Sequence, residues 1–93
     1  MNRQEFEAGL KADSFGEIAA IDKPIGYAMG EHRHAFEARA LITAGDITLV
    51  VNGVATRYAV GDIFRLPADT PHDETAGPNG VSYVVGRKQV AAT

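Results

Sequence analysis

Residues 47–58 read Ile-Thr-Leu-Val-Val-Asn-Gly-Val-Ala-Thr-Arg-Tyr, and this stretch decides the fold. Both central positions of a type I′ turn need positive φ, and Asn52-Gly53 is a pair that tolerates this conformation well. Two β-prone runs flank the pair, so we expect an antiparallel hairpin that closes at Asn52-Gly53. The cross-strand pairs on the face that we predict to be buried are Val51–Val54, Leu49–Thr56 and Ile47–Tyr58.

Outward from the hairpin, short β-prone runs separated by turn signals continue along most of the chain. The predicted strands lie near residues 15–21, 24–30, 33–43, 46–51, 54–59, 62–66, 72–76 and 81–87. Gly77–Gly80 is predicted to form a loop. So many strands in 93 residues exceed one open sheet, and a β-barrel or a jelly-roll sandwich is predicted instead. The residues predicted to fill its interior are Ile42, Ile47, Leu49, Val51, Phe64 and Leu66.

The N-terminus has a different pattern. Phe6 and Leu10 stand at i and i+4 among polar residues, which predicts one short amphipathic helix over residues 2–11. We expect this helix to pack over the barrel as a lid.

The composition excludes several classes of protein. Hydrophobic residues make up 45% of the chain and charged residues 23%, as in globular domains, and no apolar run is long enough to span a membrane. The net charge of −3 is unsuited to binding nucleic acid. The chain has no cysteine, so any metal must be held by nitrogen and oxygen ligands. Because the N-terminus has no apolar leader segment, the cytoplasm is the expected location.

Three histidines are the candidate metal ligands. His32 and His34 are separated by one residue in a predicted strand, so both side chains point to the same face. His72 follows a turn that starts a later strand, and antiparallel packing can bring it beside the pair. Three neutral imidazoles suit one divalent transition metal (iron, zinc, manganese, nickel or copper) and leave coordination positions open. A solvated or hydrogen-bonded His-x-His pair without metal is the alternative.

These residues resemble the two motifs of the cupin superfamily. Gly26, His32, His34 and Gly45 fall in the register of the first motif. Gly61, Pro67 and His72 match the second, in which Asp69 and Ala76 stand in place of a glycine and an asparagine. The resemblance implies a small single-domain cupin of the cupin 2 type, an all-β double-stranded β-helix with a short N-terminal helix. Residues 1–14 would then form the helix and lead-in, and residues 15–93 the barrel.

The first cupin motif also contains an acidic ligand, which would fall at position 38 or 39 of this chain. Ala38 and Arg39 occupy those positions, and neither is acidic. Glu37 lies one position early and is predicted to face outward by strand alternation, although a bulge would turn it inward. It is therefore a weak candidate ligand. Glu74 shares a face with His72 in a regular strand, where it can orient a ligand histidine or act as a base.

Other residues are candidates for a substrate pocket. The side chains that can line it are Tyr27, Met29, Phe36, Phe64, Tyr83 and Val85. Arg39 and Arg65 are the candidates for gripping a carboxylate, against the commoner interpretation as surface strand residues.

The resemblance leaves three functional hypotheses open, since fold and ligands together do not select a reaction. The first is a non-haem metal enzyme, dioxygenase-like, acting on a small molecule. The second is a non-catalytic module that binds a small molecule or a metal. The third is a metal-free dimerising domain. We also expect a homodimer, because Leu41, Val50 and Val84 on the outer faces leave apolar surface for a monomer to expose.

Overall fold

A computed structural model describes residues 1–90. It contains one helix and six strands. Their bounds are α1 Arg3–Ala12, β1 Glu17–Lys23, β2 Ala28–His32, β3 Phe36–Val51, β4 Val54–Ala59, β5 Ile63–Leu66 and β6 His72–Gln89. None of the described helices is long and apolar enough to cross a membrane.

All strand pairings are antiparallel. The central order is β1-β6-β3-β4, with β2 added to β6 and β5 added to β3. The strands curl around one core in the manner of a jelly-roll barrel, and the predicted fold class is confirmed. Two long strands, β3 of 16 residues and β6 of 18, replace four of the shorter predicted ones.

The two long strands bend where they cross at Gly45 and Gly80. Both glycines have positive φ, and a Cβ on Gly45 would overlap the Gly80 carbonyl, so the two backbones touch directly. Across the bend the β3–β6 register moves from Gly45↔Val81 to Ile47↔Ala76. The four residues 77–80 therefore lie opposite the single residue Asp46 as an irregular bulge inside β6, and the prediction of a loop between two separate strands is wrong. A long strand with an irregular segment gives the same local turn signal as two short strands.

The predicted hairpin is confirmed in register. Asn52 and Gly53 have φ of 52° and 77°, and Leu49 pairs with Thr56. The two strands of the hairpin differ in burial. The β3 residues on the predicted face are covered, whereas Val54 and Thr56 on β4 are exposed.

The barrel interior forms one cluster that includes five of the six predicted residues as fully buried members, with Val51 partly buried against them. This cluster lies on the inward side of β3 and β6. One end of it carries the candidate site described below.

A second apolar cluster occupies the outer side of the same strands. α1 begins with a capping box, in which the Asn2 side chain accepts from the backbone N–H of Glu5 at 2.8 Å. The members of the cluster are Phe6, Leu10, Phe15, Leu41 and Val84, with Ile18 and Ile63 packed against them. Successive residues along β3 and β6 alternate between the inner cluster and this outer one. The helix α1 therefore covers the outer side of the sheet. The expectation of a lid over the barrel is wrong.

The helix also removes part of the reason for expecting a homodimer. Leu41 and Val84, which we expected to be exposed, are only 3% and 1% accessible because α1 covers them within the same chain. The homodimer itself stays a prediction.

Candidate metal centre

Three imidazole rings converge at one end of the barrel. The ring centroids of His32 and His72 are 4.3 Å apart, those of His32 and His34 4.9 Å, and those of His34 and His72 5.4 Å. His32 ends β2 and His72 begins β6, where the two residues are register partners. His34 lies in the link between β2 and β3, so its placement in a strand is wrong although its ring points where expected.

Backbone carbonyls orient two of the rings. His32 Nδ1 donates to the Gly30 carbonyl at 2.8 Å, and His72 Nδ1 donates to the Thr70 carbonyl at 2.9 Å. A carbonyl oxygen can only accept, so the proton of each neutral ring is on Nδ1 and the lone pair is on Nε2. Histidines that ligate metals are commonly oriented through their other ring nitrogen in this way.

Glu74 completes the group. Its Oε2 lies 3.1 Å from His32 Nε2 and 3.0 Å from His72 Nε2. Its Oε1 accepts a hydrogen bond from the Tyr27 hydroxyl at 3.1 Å. The sequence predicted the shared face of His72 and Glu74. The proximity to His32 was missed, because it depends on the irregular β2–β6 register.

The donor set fits a metal cation. One ligand atom from each of His32, His34, His72 and Glu74 can be chosen such that all lie within 4.8 Å of one another. At the usual zinc–nitrogen length, two ligands are about 3.4 Å apart in a tetrahedral site and up to about 4.2 Å apart when they lie on opposite sides of the metal, so these donor atoms are near the spacing that a bound metal needs. Nε2 lone pairs that face a carboxylate oxygen repel it unless a proton or a cation lies between them. A divalent cation satisfies all of these groups at once.

Glu37 is not part of this group in the described chain. It pairs in register with Lys88, while its neighbours Phe36 and Ala38 line the cavity at the site. Because strand alternation holds here without a bulge, the Glu37 carboxylate faces the opposite side. The structure therefore does not support its weak candidacy as a ligand.

His34 is held in its neutral form. Its ring stacks on Phe36 with centroids 4.7 Å apart and an interplanar angle of 9°. Burial, with the neighbouring His32 and His72 as further causes, holds the pKa of His34 below its usual range. A neutral imidazole is the form that binds a metal.

Two tyrosines keep their protons beside the centre. Burial, the charge of Glu74 and the hydrogen bond to it raise the pKa of Tyr27 to about 12. Burial and the charge of Glu74 also raise the pKa of Tyr83 to about 12. Both hydroxyls therefore remain hydrogen-bond donors at neutral pH.

Two adjoining cavities meet at the centre. The first has a volume of about 80 Å³ and apolar walls that include Phe36, Phe64 and Val85. The second, of about 200 Å³, is bordered by Tyr27, Met29 and other residues on its open side. The residues common to both are His34, Glu74, Tyr83 and Arg87. All six predicted pocket residues line one cavity or the other.

The cationic residue at both cavities is Arg87, which was not among the residues predicted for the site. Arg39 instead lies on the outer side, where it bonds Asp13 at 2.6 Å and holds the pKa of that carboxyl below its usual range. Arg65 is exposed on β5 and lines neither cavity. Alternation from Ala38 and Phe64 points both side chains outward, so the structure supports the commoner interpretation of Arg39 and Arg65 as surface strand residues.

One of the two departures from the motif, Asp69, has a structural explanation. Asp69 has φ of 59°, the left-handed conformation that glycine adopts freely and aspartate tolerates better than most residues. Ala76 lies on β6, and its backbone N–H donates to the Tyr27 carbonyl at 2.9 Å. Asp69 thus adopts the backbone conformation that the glycine of the motif would adopt in the turn before His72.

Comparison with known proteins agrees with this geometry. The family model Cupin_2, described as Cupin domain, matches residues 21–78. No curated protein matches the chain significantly.

Several solved structures share the fold. A conserved protein of unknown function from Streptococcus pyogenes superposes with a TM-score of 0.71 at 21% identity, covering 81% of this chain and 65% of that one. A DMSP lyase from Ruegeria pomeroyi gives a TM-score of 0.69 at 24% identity, covering 82% of this chain and 40% of that one. An RmlC-like cupin from Shewanella frigidimarina gives 0.67 at 22% identity, covering 80% and 68%. Identities this low show a common fold alone.

Proposed function

The chain belongs to the cupin domain family, and we propose that it is a metal-dependent enzyme, an oxidoreductase of the dioxygenase-like kind, that acts on a small molecule. The observation that carries the proposal is the convergence of three oriented histidines and Glu74 beside a cavity. A fold alone does not select a reaction, so the proposal depends on the centre.

His32, His34, His72 and Glu74 would hold the metal. Three imidazoles and one carboxylate suit iron, zinc, manganese, nickel or copper, and in a six-coordinate geometry they leave two positions for small ligands. When bound, such a metal supplies a Lewis acid, and with iron or copper also a centre for electron transfer to dioxygen.

The rest of the site orients and shields the centre. The Tyr27 hydroxyl holds Glu74 Oε1 and thereby directs Oε2 toward the histidines. Phe36, Phe64 and Val85 form the apolar walls of the first cavity beside the centre. The Tyr83 hydroxyl retains its proton and can donate a hydrogen bond to a bound substrate.

The small volume favours a small substrate. The second cavity, at about 200 Å³, is below the size usual for sites that bury drug-sized ligands. A metabolite with few heavy atoms fits it better than a polymer or a nucleotide.

Metal analysis and oxygen uptake test the proposal. The protein is purified without chelator or a nickel column, its metal content is measured, and oxygen consumption of the iron-loaded protein is followed against a panel of small metabolites. We expect close to one metal per chain, with His34→Ala and His72→Ala each losing most of it. Glu37→Gln is the matched control and keeps the wild-type content, because that carboxylate faces away. A wild-type protein that takes up none of the five metals overturns the proposal.

A reaction that needs no oxygen is the second candidate. It is favoured by the two protonated tyrosine hydroxyls beside the centre, which can serve as proton donors without any redox change. Product formed anaerobically by the zinc-loaded protein supports this candidate, whereas strict dependence on iron and oxygen supports the first.

For assembly and location we propose a homodimer in the cytoplasm. The exposed apolar residues Val54 and Val60, each 64% accessible, lie at the two ends of the edge strand β4, and a second copy that packs along this edge would cover both. Light scattering at about twice the 9.9 kDa chain mass supports the dimer, and a monomer mass in dilute buffer overturns it.

A further inference from the structure

Arg87 lies where the two cavities meet. It is on β6, in register with Ala38 on one side and Glu17 on the other, and its side chain is 28% accessible. It is among the few residues that line both cavities. The guanidinium is thus partly shielded from water and close to the candidate metal centre.

The Arg87 guanidinium makes a cation–π contact with an aromatic ring at the centre. Its central carbon lies 5.5 Å from the centroid of the Phe36 ring, and that ring stacks on His34. Arginine binds well to aromatic faces because its planar cation is weakly hydrated. The stack connects Arg87 to a candidate ligand through one intervening side chain.

Most of the hydrogen-bonding capacity of Arg87 is free for a ligand. Among the described residues its one ion pair is with Glu17, whose Oε1 lies 3.5 Å from Nη1, the outer limit of a hydrogen bond. The Glu17 side chain is 58% accessible, and exposed pairs of this kind contribute little. A guanidinium has five N–H donors in a fork that matches a carboxylate.

The charges around the second cavity favour an anion. Lys23 also lines it, with Nζ 4.8 Å from the centroid of the Tyr27 ring. Glu74 is the acidic residue in the lining, and both of its oxygens already face partners within the protein. The remaining charged groups of the lining are therefore positive.

We propose that Arg87 anchors the carboxylate of a small substrate beside the metal centre, with Lys23 adding to the positive field. This inference rests on the proposed function, because it names the substrate class for the same site. Since Arg87 contacts both cavities, a carboxylate bound to it places the adjoining carbon atoms next to His34 and Glu74.

Ligand binding to the cobalt-loaded protein tests this assignment. Lactate is the probe, lactamide is its uncharged match, and inorganic phosphate represents other oxyanions. Cobalt absorption reports the environment of the metal, and calorimetry gives the Kd. The variants are Arg87→Gln and Arg87→Lys, with Arg65→Gln as the matched control on the exposed side of β5. Cobalt content is measured for every protein first.

We expect lactate to bind wild type and the Arg65→Gln control equally, and lactamide to bind at least tenfold more weakly. Loss of a charge-assisted pair weakens binding by about ten- to a hundredfold, so Arg87→Gln should lose that much affinity for lactate with unchanged cobalt content. Arg87→Lys keeps the charge without the fork and should lie between wild type and Arg87→Gln. If Arg87→Gln misfolds, Arg87→Lys still gives this readout.

Three results would overturn the assignment. One is wild-type affinity for lactate in a cobalt-loaded Arg87→Gln protein. Another is equal binding of lactate and lactamide by wild type. The third is Arg87-dependent binding of phosphate that is tighter than that of lactate, which would assign the site to another oxyanion. Failure of wild type to take up cobalt or any of the five metals named above would instead overturn the proposed function itself, and this inference with it.

Discussion

The two sides of the β3–β6 sheet are built from the same strands but differ in how they are filled. On the outer side, Leu10 of the helix packs against Leu41 and Val84, and a Cβ on Gly86 would overlap Leu10. On the inner side, the small residues Ala38 and Ala40 alternate along β3 with the outward-facing ones. Two cavities lie on this side at the candidate metal centre. The densely packed outer cluster therefore backs the part of the sheet that lines the two cavities. Truncations in the outer cluster are therefore expected to change stability without changing binding, because the candidate centre lies on the inner side.

The largest expected effect is on the packed side. Leu10→Ala removes a side chain with no accessible surface, and truncations of this kind cost about 2–5 kcal/mol in the free energy of unfolding. Urea denaturation of metal-free protein measures it. Gln4→Ala on the exposed face of the same helix is the control and should stay within about 0.5 kcal/mol of wild type. Loss of cobalt affinity in the folded Leu10→Ala protein would contradict the separation of the two sides.

A substitution on the inner side, at the centre, should instead change metal affinity more than stability. Glu74→Gln keeps the shape of the side chain but removes its charge, so we expect metal affinity to fall by at least about ten- to a hundredfold. The unfolding free energy of the metal-free protein should change much less than in Leu10→Ala. Competition with a chromophoric chelator measures the affinity, and Glu37→Gln is the matched control. Equal affinities for both variants would remove Glu74 from the ligand set.

A smaller effect is expected from pH on the metal-free protein. The pKa of His34 is lowered in the folded state, so the unfolded chain binds a proton more readily than the folded one. The contribution to stability is present above the unfolded pKa of about 6.5 and is lost as pH falls toward the lower folded value. Denaturant midpoints measured between pH 7.5 and 5 should decline. His34→Gln should decline less, and an identical decline in both proteins would assign the effect to other groups.

The smallest expected effect is at the turn that presents His72. Asp69 carries positive φ, and Asp69→Gly should raise the unfolding free energy by at most about 1 kcal/mol, since the relief of strain is partly offset by the greater freedom of the unfolded chain. The thermal midpoint measures this change, and metal affinity should stay as in wild type. Asp62→Gly is unsuitable as a comparison, because the Asp62 side chain accepts from the Ala59 N–H. A clear loss of stability in Asp69→Gly would show that the aspartate makes a contribution beyond its backbone conformation.

Local signals predicted much of the fold and part of the centre. The Asn52-Gly53 pair fixes its own turn, and alternation then assigns the inner residues of β3. The three histidines follow the spacing of a family motif, so their convergence was predictable. Glu74 was placed on the correct face of its strand by the same alternation.

The features that were missed depend on contacts between distant segments. The link of Glu74 to His32 depends on the irregular pairing of β2 with β6, which no local pattern encodes. Arg87 is the exception, because alternation along β6 from the inward-facing Tyr83 and Val85 places it on the inner face and could have identified it. The position of the helix follows from the apolar outer residues Leu41 and Val84, which the sequence equally allowed to lie in a dimer interface.

The central position of β6 has a consequence for the order in which the molecule is assembled. Pairings with β1, β2 and β3 all involve β6, and this strand also carries His72, Glu74 and Arg87. During synthesis on the ribosome the β3–β4 hairpin can form early, because its partners are adjacent in the chain. The barrel must wait until β6 has emerged, and closing its long loops makes that step slow. A nascent chain therefore acquires its tertiary structure and its binding site in the same late event.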